Sequence, residues 1–382
     1  MSASVRSKRV GSRARLIFSV MAVTVFSALL MVGCGKDDDS HTHDWQWVVT
    51  TPATADEDGL ETETCSICGE TRGTRVIPKT GGDPDPNFVG IEGLTMDNYP
   101  RVDGSTSTNP LNVIIAANLL GLEYEWISDG YLRDVTFKQL YPDTFIKKVK
   151  CSQTNRAIIN LIDDKADLII VARKMSADER QYAAGAGVTL FETPIAVDAL
   201  DFLINAKNTV TSLTVEQIQT IYLGNITNWS EVGGEDRKII PYIRNANSGS
   251  QEMMKEIVMK DTGMPDWEVS YLDEDQMMIG SMRQVYEELR SKQGGICFTP
   301  HYYKEYMVVF EGELARSVKT LAVNEIMPDA NTIENKTYPF TAEVYVSIRS
   351  DLDHNSMAYK LYLWLRTDSG KSIIRESGYV TD

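Results

Sequence analysis

From about Phe88 to Asp382 the chain reads as an α/β domain. Two observations carry that reading. Apolar, β-branched stretches alternate with segments whose apolar residues recur at helical spacing. Three times, an extended segment ends in a short hydroxyl-rich turn that opens into a helix.

The elements follow in order. Tyr99–Asp103 is extended and meets Gly104, Ser105, Thr106, Ser107 and Thr108. A helix opens at Asn109-Pro110, where proline's fixed φ suits the first turn and its missing N–H is no loss. Cys151-Ser152-Gln153-Thr154-Asn155 precedes a helical run from Arg156 to Asp163. Ala166–Ala172 is almost continuously apolar, which predicts a strand covered on both faces. Ser176-Ala177-Asp178-Glu179 and Thr214-Val215-Glu216-Gln217 are capping boxes. The second opens a helix through Val215, Ile218, Ile221 and Tyr222 that stops at Gly224. Ala199–Asn205 is a strand. Lys238–Ile243 is another, followed by a polar turn and a helix over Gln251–Lys260. Thr341–Ile348 is a late strand, and Ser356–Arg366 is helical. Ala199–Asn205 and Thr341–Ile348 lie far apart in sequence, which makes them candidates for crossings between two lobes.

The turn Arg244-Asn245-Ala246-Asn247-Ser248-Gly249-Ser250 carries the chemistry. Helix N-termini present unpaired N–H groups and partial positive charge. Gly249 lets an oxyanion approach the backbone, and the planar fork of Arg244 can grip two oxygens. Alone, this turn reads more readily as a Ser-capped helix beside a surface arginine. Three such helix starts could converge on one tetrahedral anion.

The start of the chain is not globular. Arg6, Lys8, Arg9, Arg13 and Arg15 precede an uncharged apolar run, Leu16–Val32, and then Gly33-Cys34. That order describes a lipoprotein signal over 1–33 with Cys34 as the lipid-bearing residue; an uncleaved anchor is the alternative. The formal net charge is −16, and removing the five bases of 1–33, which hold no acid, takes it to −21. So acidic a chain argues against a nucleic-acid partner, but a local cluster of donors can still hold a small anion because charges are screened beyond about 8 Å. Cys151 and Cys297 each abut apolar sequence and read as buried small hydrophobes.

Residues 34–40 form an acidic tether, and the Gly/Pro/Asp-rich stretch 80–88 is a linker ahead of the main domain at 89–382. Between them, 41–79 is a small unit containing His41-Thr42-His43 and Cys65-Ser66-Ile67-Cys68. Thiolate and imidazole suit tetrahedral zinc, and a unit this small needs a metal or cross-link to fold. His41, His43, Cys65 and Cys68 are the candidate ligands. A Cys65–Cys68 disulfide, or two thiols beside unliganded histidines, reads equally well. The unit resembles a short tandem module of bacterial surface proteins.

Several segments of the main domain resemble periplasmic phosphate-binding proteins. They are Leu213–Trp229, Asp103–Pro110, Arg244–Ser250 and Gly294-Gly295-Ile296-Cys297-Phe298, in matching order and spacing over roughly 95–382. The resemblance implies the type II periplasmic binding protein fold: two α/β lobes, about 89–200 with 340–382 and about 206–335, joined by two crossover strands. It implies a monomeric, lipid-anchored extracytoplasmic receptor that passes phosphate to an ABC permease. It implies that Arg244, Ser248, Gly249 and Ser250 hold the anion from one lobe. Thr106, Ser107, Thr108 and the Asn109 N–H would serve from the other, with Ser152 or Thr154 adding a hydroxyl. No cofactor is expected in this domain. One departure matters. The family places an aspartate, which accepts a hydrogen bond from protonated phosphate, where this chain has Ala172. Arg173 follows and is a further candidate contact; Asp103, Asp129 and Asp201 are candidate substitutes. Other oxyanions or small acids, and a surface sensor or adhesion role, are the competing functions. With four histidines and no nucleophile–base motif, an enzyme is the weakest reading.

Overall fold

The computed structural model describes residues 43, 45–51, 59–77, 89–264, 278–309 and 316–381. The expected signal segment, Cys34, the tether, His41 and the 80–88 linker lie outside these residues. No helix among the described residues is long and apolar enough to cross a membrane.

The small unit is a three-stranded meander of β1 (Trp45–Thr51), β2 (Gly59–Cys65) and β3 (Thr71–Ile77). Its Arg72 lies 4.4 Å over the Trp45 ring and grips both oxygens of Glu63 at 2.9 Å.

The main domain is built on mixed sheet. Its strands are β4 (Val102–Gly104), β7 (Leu168–Val171), β8 (Leu190–Asn205), β9 (Ser212–Leu213), β10 (Ile240–Pro241), β13 (Gly295–Pro300), β14 (Val318–Val323) and β15 (Thr341–Arg349). The main path runs β10-β13-β8-β15-β7-β4, with β14 and β9 attached through β8. The 16-residue β8 explains the two lobes. From Leu190 to Ala199 it pairs antiparallel with β15. From Leu200 to Asn205 it pairs with β13 and β14 instead. β8 and β15 are therefore the two strands that pass between the halves.

The first lobe surrounds β4 and β7, which run parallel with Val102 opposite Leu168. All four residues of β7 are buried, as its unbroken apolar sequence requires. Packed around it are α1 (Asn109–Leu120), α2 (Asp143–Ile146), α3 (Thr154–Ile162) and α4 (Ala177–Gly185). α4 starts at the Ser176–Glu179 capping box. An element not expected from the sequence is the hairpin β5 (Tyr124–Ser128)–β6 (Arg133–Phe137), although Ser128-Asp129-Gly130 is a turn signal. Asp129 Oδ1 closes that turn by accepting from the N–H groups of Tyr131 and Leu132.

In the second lobe α5 (Val215–Tyr222) starts at the Thr214–Gln217 capping box, with Gly224 left-handed just beyond its end. Phe202, Tyr222, Phe298 and Phe340 form an aromatic core with centroids 5.6–6.3 Å apart. The buried Trp229 donates from Nε1 to Gly294 O at 3.0 Å. A Cβ on Gly294 would come 2.3 Å from Lys238 O, so only glycine fits there. The segments Leu213–Trp229 and Gly294–Phe298 thus help to build the core of this lobe.

Two expected elements differ. The strand over Lys238–Ile243 is broken: Pro241 ends β10, and β11 (Ile243–Arg244) pairs with β12 (Met278–Ile279) instead. The helix over Gln251–Lys260 begins earlier, as α6 (Gly249–Met253), and continues as a π-helix over Met254–Met259. The buried apolar residues are Met253, Met254, Val258 and Met259, in pairs spaced by five. The wider i→i+5 turn puts both pairs on one face. The remaining helices are α7 (Met282–Ser291), α8 (Ala330–Glu334), α9 (Met357–Trp364) and α10 (Asp368–Glu376).

Candidate functional site

β11 carries Arg244 to the end of its strand, and the Arg244 N–H donates to Gln251 Oε1 at 2.8 Å. The turn then bends at Asn247, whose φ is 59°. Ser248 caps α6, its Oγ accepting from the Gln251 N–H. The Arg244 side chain is buried at 8% exposure. Its Nε donates to Ile279 O at 3.0 Å, Nη2 to Gly280 O at 3.4 Å and Nη1 to Met282 Sδ. All three acceptors are neutral. No carboxylate among the described residues pairs with this guanidinium, and burial lowers its pKa from the ordinary value. Five N–H donors on arginine leave hydrogens to spare. Ser250 Oγ also lies 3.6 Å from Met282 Sδ, so Ser250 and Arg244 converge on one point.

In the first lobe, Asp103 organises the turns and is fully buried. It accepts from the N–H groups of Gly104 and Ser152 at 2.8 Å and from Asn160 Nδ2 at 2.7 Å. Lys150 Nζ adds an ion pair at 3.4 Å. Ser152 Oγ accepts from Asn160 as well. Thr108 Oγ1 donates to Ile170 O at 2.6 Å, locking the turn onto β7. Ser107 gives its carbonyl to the Tyr379 hydroxyl, and Asn109 Nδ2 reaches both oxygens of Asp134. Thr106 bonds the Cys151 thiol, which burial pushes up to about 11. Ser105, which the sequence reading passed over in favour of its neighbours, bonds Thr154 Oγ1 at 2.8 Å and accepts from the Ala172 N–H at 3.0 Å. Nothing in the run of four hydroxyls distinguishes it; the fold does.

Near the α6 turn, two contacts join the lobes. A Cβ on Gly249 would fall 2.6 Å from Thr154 Oγ1, so the start of α6 lies directly against the first lobe's hydroxyl pair. Arg173 Nη2 donates to Asn247 O at 2.7 Å. The structure thus brings Thr154, Ser105, Gly249 and the Ala172 N–H together, with Arg244 and Ser250 held on the same loop. Arg173 has a different setting from Arg244. It is 2% exposed and forms a two-pronged ion pair with the equally buried Glu179, at 2.6 and 2.9 Å. Its charge is already balanced.

The three carboxylates that are candidate substitutes for the missing aspartate are engaged elsewhere. Asp103 is saturated as described. Asp201 holds His301 Nδ1 and Lys304 Nζ, each at 2.9 Å. Asp129 is exposed in its hairpin turn, 3.6 Å from Arg283.

Residues 127–365 match the model of the PBP superfamily domain. The chain belongs to that superfamily. Among curated proteins it is similar to the phosphate-binding protein PstS of Borreliella burgdorferi, 24% identical over 50% of this chain and 65% of that one. It thus spans just under two thirds of that relative's length. It is also similar to PstS 2 of Streptococcus agalactiae, 28% identical over 42% of this chain and 46% of the relative. Among solved structures, an ABC-type phosphate transport receptor from Vibrio cholerae matches with a TM-score of 0.50 at 22% identity, over 76% of this chain and 100% of that one. A Clostridium perfringens protein described as a phosphate ABC transporter substrate-binding protein, solved with phosphate, matches at 0.51 and 18%, over 74% and 98%. These likenesses carry the fold: a two-lobed α/β binding protein of the type II class. The family is one of binding receptors, not enzymes.

Proposed function

We propose that this chain is an extracytoplasmic receptor that binds phosphate between its lobes and delivers it to an ABC permease. It is held at the membrane by lipid on Cys34 and works as a monomer. The single observation that carries this reading is Arg244: a buried guanidinium with only neutral acceptors among the described residues, on the loop that opens α6, whose Gly249 lies against Thr154 of the other lobe. Burying a cation without a counter-charge is costly, and a tetrahedral anion supplies the charge. Ser248, Gly249 and Ser250 would donate from the second lobe, and Thr154 with Ser105 from the first. Named relatives that bind phosphate support the choice of ligand.

A second reading, another tetrahedral oxyanion, is favoured by Ala172. The Ala172 N–H already donates to Ser105 Oγ, and among the described residues the site has no free carboxylate to accept a hydrogen bond from the ligand. The protein should therefore discriminate weakly between phosphate and sulfate. Calorimetric titration with phosphate, sulfate and arsenate at pH 6 and 8 tests both readings. Tight binding of phosphate with sulfate close behind supports the receptor with an open specificity. Binding of none of the three would overturn the proposal.

A further inference from the structure

Among the described side chains of the small meander Cys65 alone is buried, at 1% exposure. A unit of three short strands is too small to fold on apolar burial alone. What surrounds Cys65 is metal-binding chemistry. His43 Nδ1 lies 3.5 Å from Cys68 Sγ, and these two atoms with Cys65 Sγ all fall within 4.8 Å of one another. In tetrahedral zinc, bonds of about 2.3 Å to sulfur and about 2.0–2.1 Å to nitrogen put the two ligand atoms about 3.6 Å apart. The observed spacing is that edge.

The surroundings fit as well. His43 Nε2 is 3.4 Å from Glu70 Oε2. A proton on Nε2 shared with that carboxylate leaves the Nδ1 lone pair pointing at the thiols, the usual carboxylate–histidine–metal arrangement. The turn between the cysteines is pre-shaped: Gly69 is left-handed at φ 74°, its N–H donates to Cys65 O at 2.8 Å, and the Cys65 N–H donates to Glu70 O at 2.7 Å. Trp45 stacks on the His43 ring at 4.8 Å and fixes its plane. No disulfide joins Cys65 to Cys68.

We infer that His43 Nδ1, Cys65 and Cys68 bind a zinc-class divalent ion that folds the module, with Glu70 as a positioning residue. The fourth coordination position falls to water or to a donor outside the described residues. Binding releases the two thiol protons, so affinity rises with pH. This site is independent of the oxyanion cleft.

The test uses the full chain, reduced, stripped with a chelator and titrated with cobalt(II) and then zinc(II). About one cobalt per chain is expected, giving the strong visible bands of a tetrahedral ion and a near-ultraviolet thiolate-to-cobalt band, both erased by zinc. Cys68→Ser and His43→Ala should weaken or abolish the spectrum. Glu70→Gln should keep it while lowering affinity by about 10- to 100-fold. Phosphate titration of each variant reports separately on the main domain. An unchanged cobalt spectrum in the double variant Cys65→Ser/Cys68→Ser overturns the site. So does complete Cys65–Cys68 disulfide formation in chain isolated without added reductant.

Discussion

At the scale of residues, the two buried arginines divide the work. Arg244 has neutral partners and charge to offer; Arg173 is already paired with Glu179 and bonds the Asn247 carbonyl across the lobes. Removing one member of a buried pair strands the other charge and costs about 3–5 kcal/mol. Arg173→Ala should therefore lower the unfolding free energy by about that much in urea. A variant as stable as the parent, with oxyanion binding abolished, would make Arg173 the ligand contact. Gly249 sets a second test. Its missing side chain lets α6 touch Thr154, and a methyl group there would sit 2.6 Å from Thr154 Oγ1. Gly249→Ala should weaken ligand binding while leaving urea stability within about 1 kcal/mol, because the clash exists only when the lobes close. Equal losses of stability and binding would mean that the contact is simply part of the fold.

At the scale of elements, β8 is the backbone of the account, and it carries a titrating group of its own. Asp198 is buried where β8 passes toward the second lobe; burial pushes its carboxyl up to about 6, against the nearby His301 and the N–H groups of Tyr302 and Ala199, while Asp201 adds to the rise. The folded value lies above the ordinary one, so folding favours the protonated acid. The penalty is absent below pH 4 and complete above about pH 6. Asp198→Asn removes it. The stability difference between variant and parent should shift in the variant's favour by roughly 2–3 kcal/mol between pH 4 and pH 7, read from urea midpoints. A pH-independent difference would contradict the assignment. The elements legible in the sequence were those with local signatures: the capping boxes at Ser176 and Thr214, the unbroken apolar β7, the late strand β15. What was not legible depends on partners far away in sequence. The length of β8 follows from β13, β14 and β15 each lending it an edge. The π-turn in α6 follows from where Met254 and Met259 find room. Ser105 could not be told from Thr106, Ser107 or Thr108, because only the position of Thr154 selects it.

At the scale of the whole molecule, the chain divides its tasks between segments. A chain beginning at Asn87 should bind phosphate as well as one beginning at Cys34, since every residue placed in the cleft lies beyond the linker. A large loss of affinity on that truncation would show that the module takes part in binding. The acidic net charge is compatible with the proposed function, in which a few oriented donors, not the general field of the protein, would attract the anion.

The central claim is that Arg244 captures the anion, and isothermal titration of phosphate into the folded parent, Arg244→Ala and Arg244→Lys tests it most directly. Losing one side of a buried charged contact costs roughly 2–5 kcal/mol, so Arg244→Ala should bind about thirtyfold more weakly or worse. Arg244→Lys should recover only part of that, because a point charge cannot reproduce the fork. An Arg244→Ala protein that is folded and binds phosphate like the parent would contradict the account.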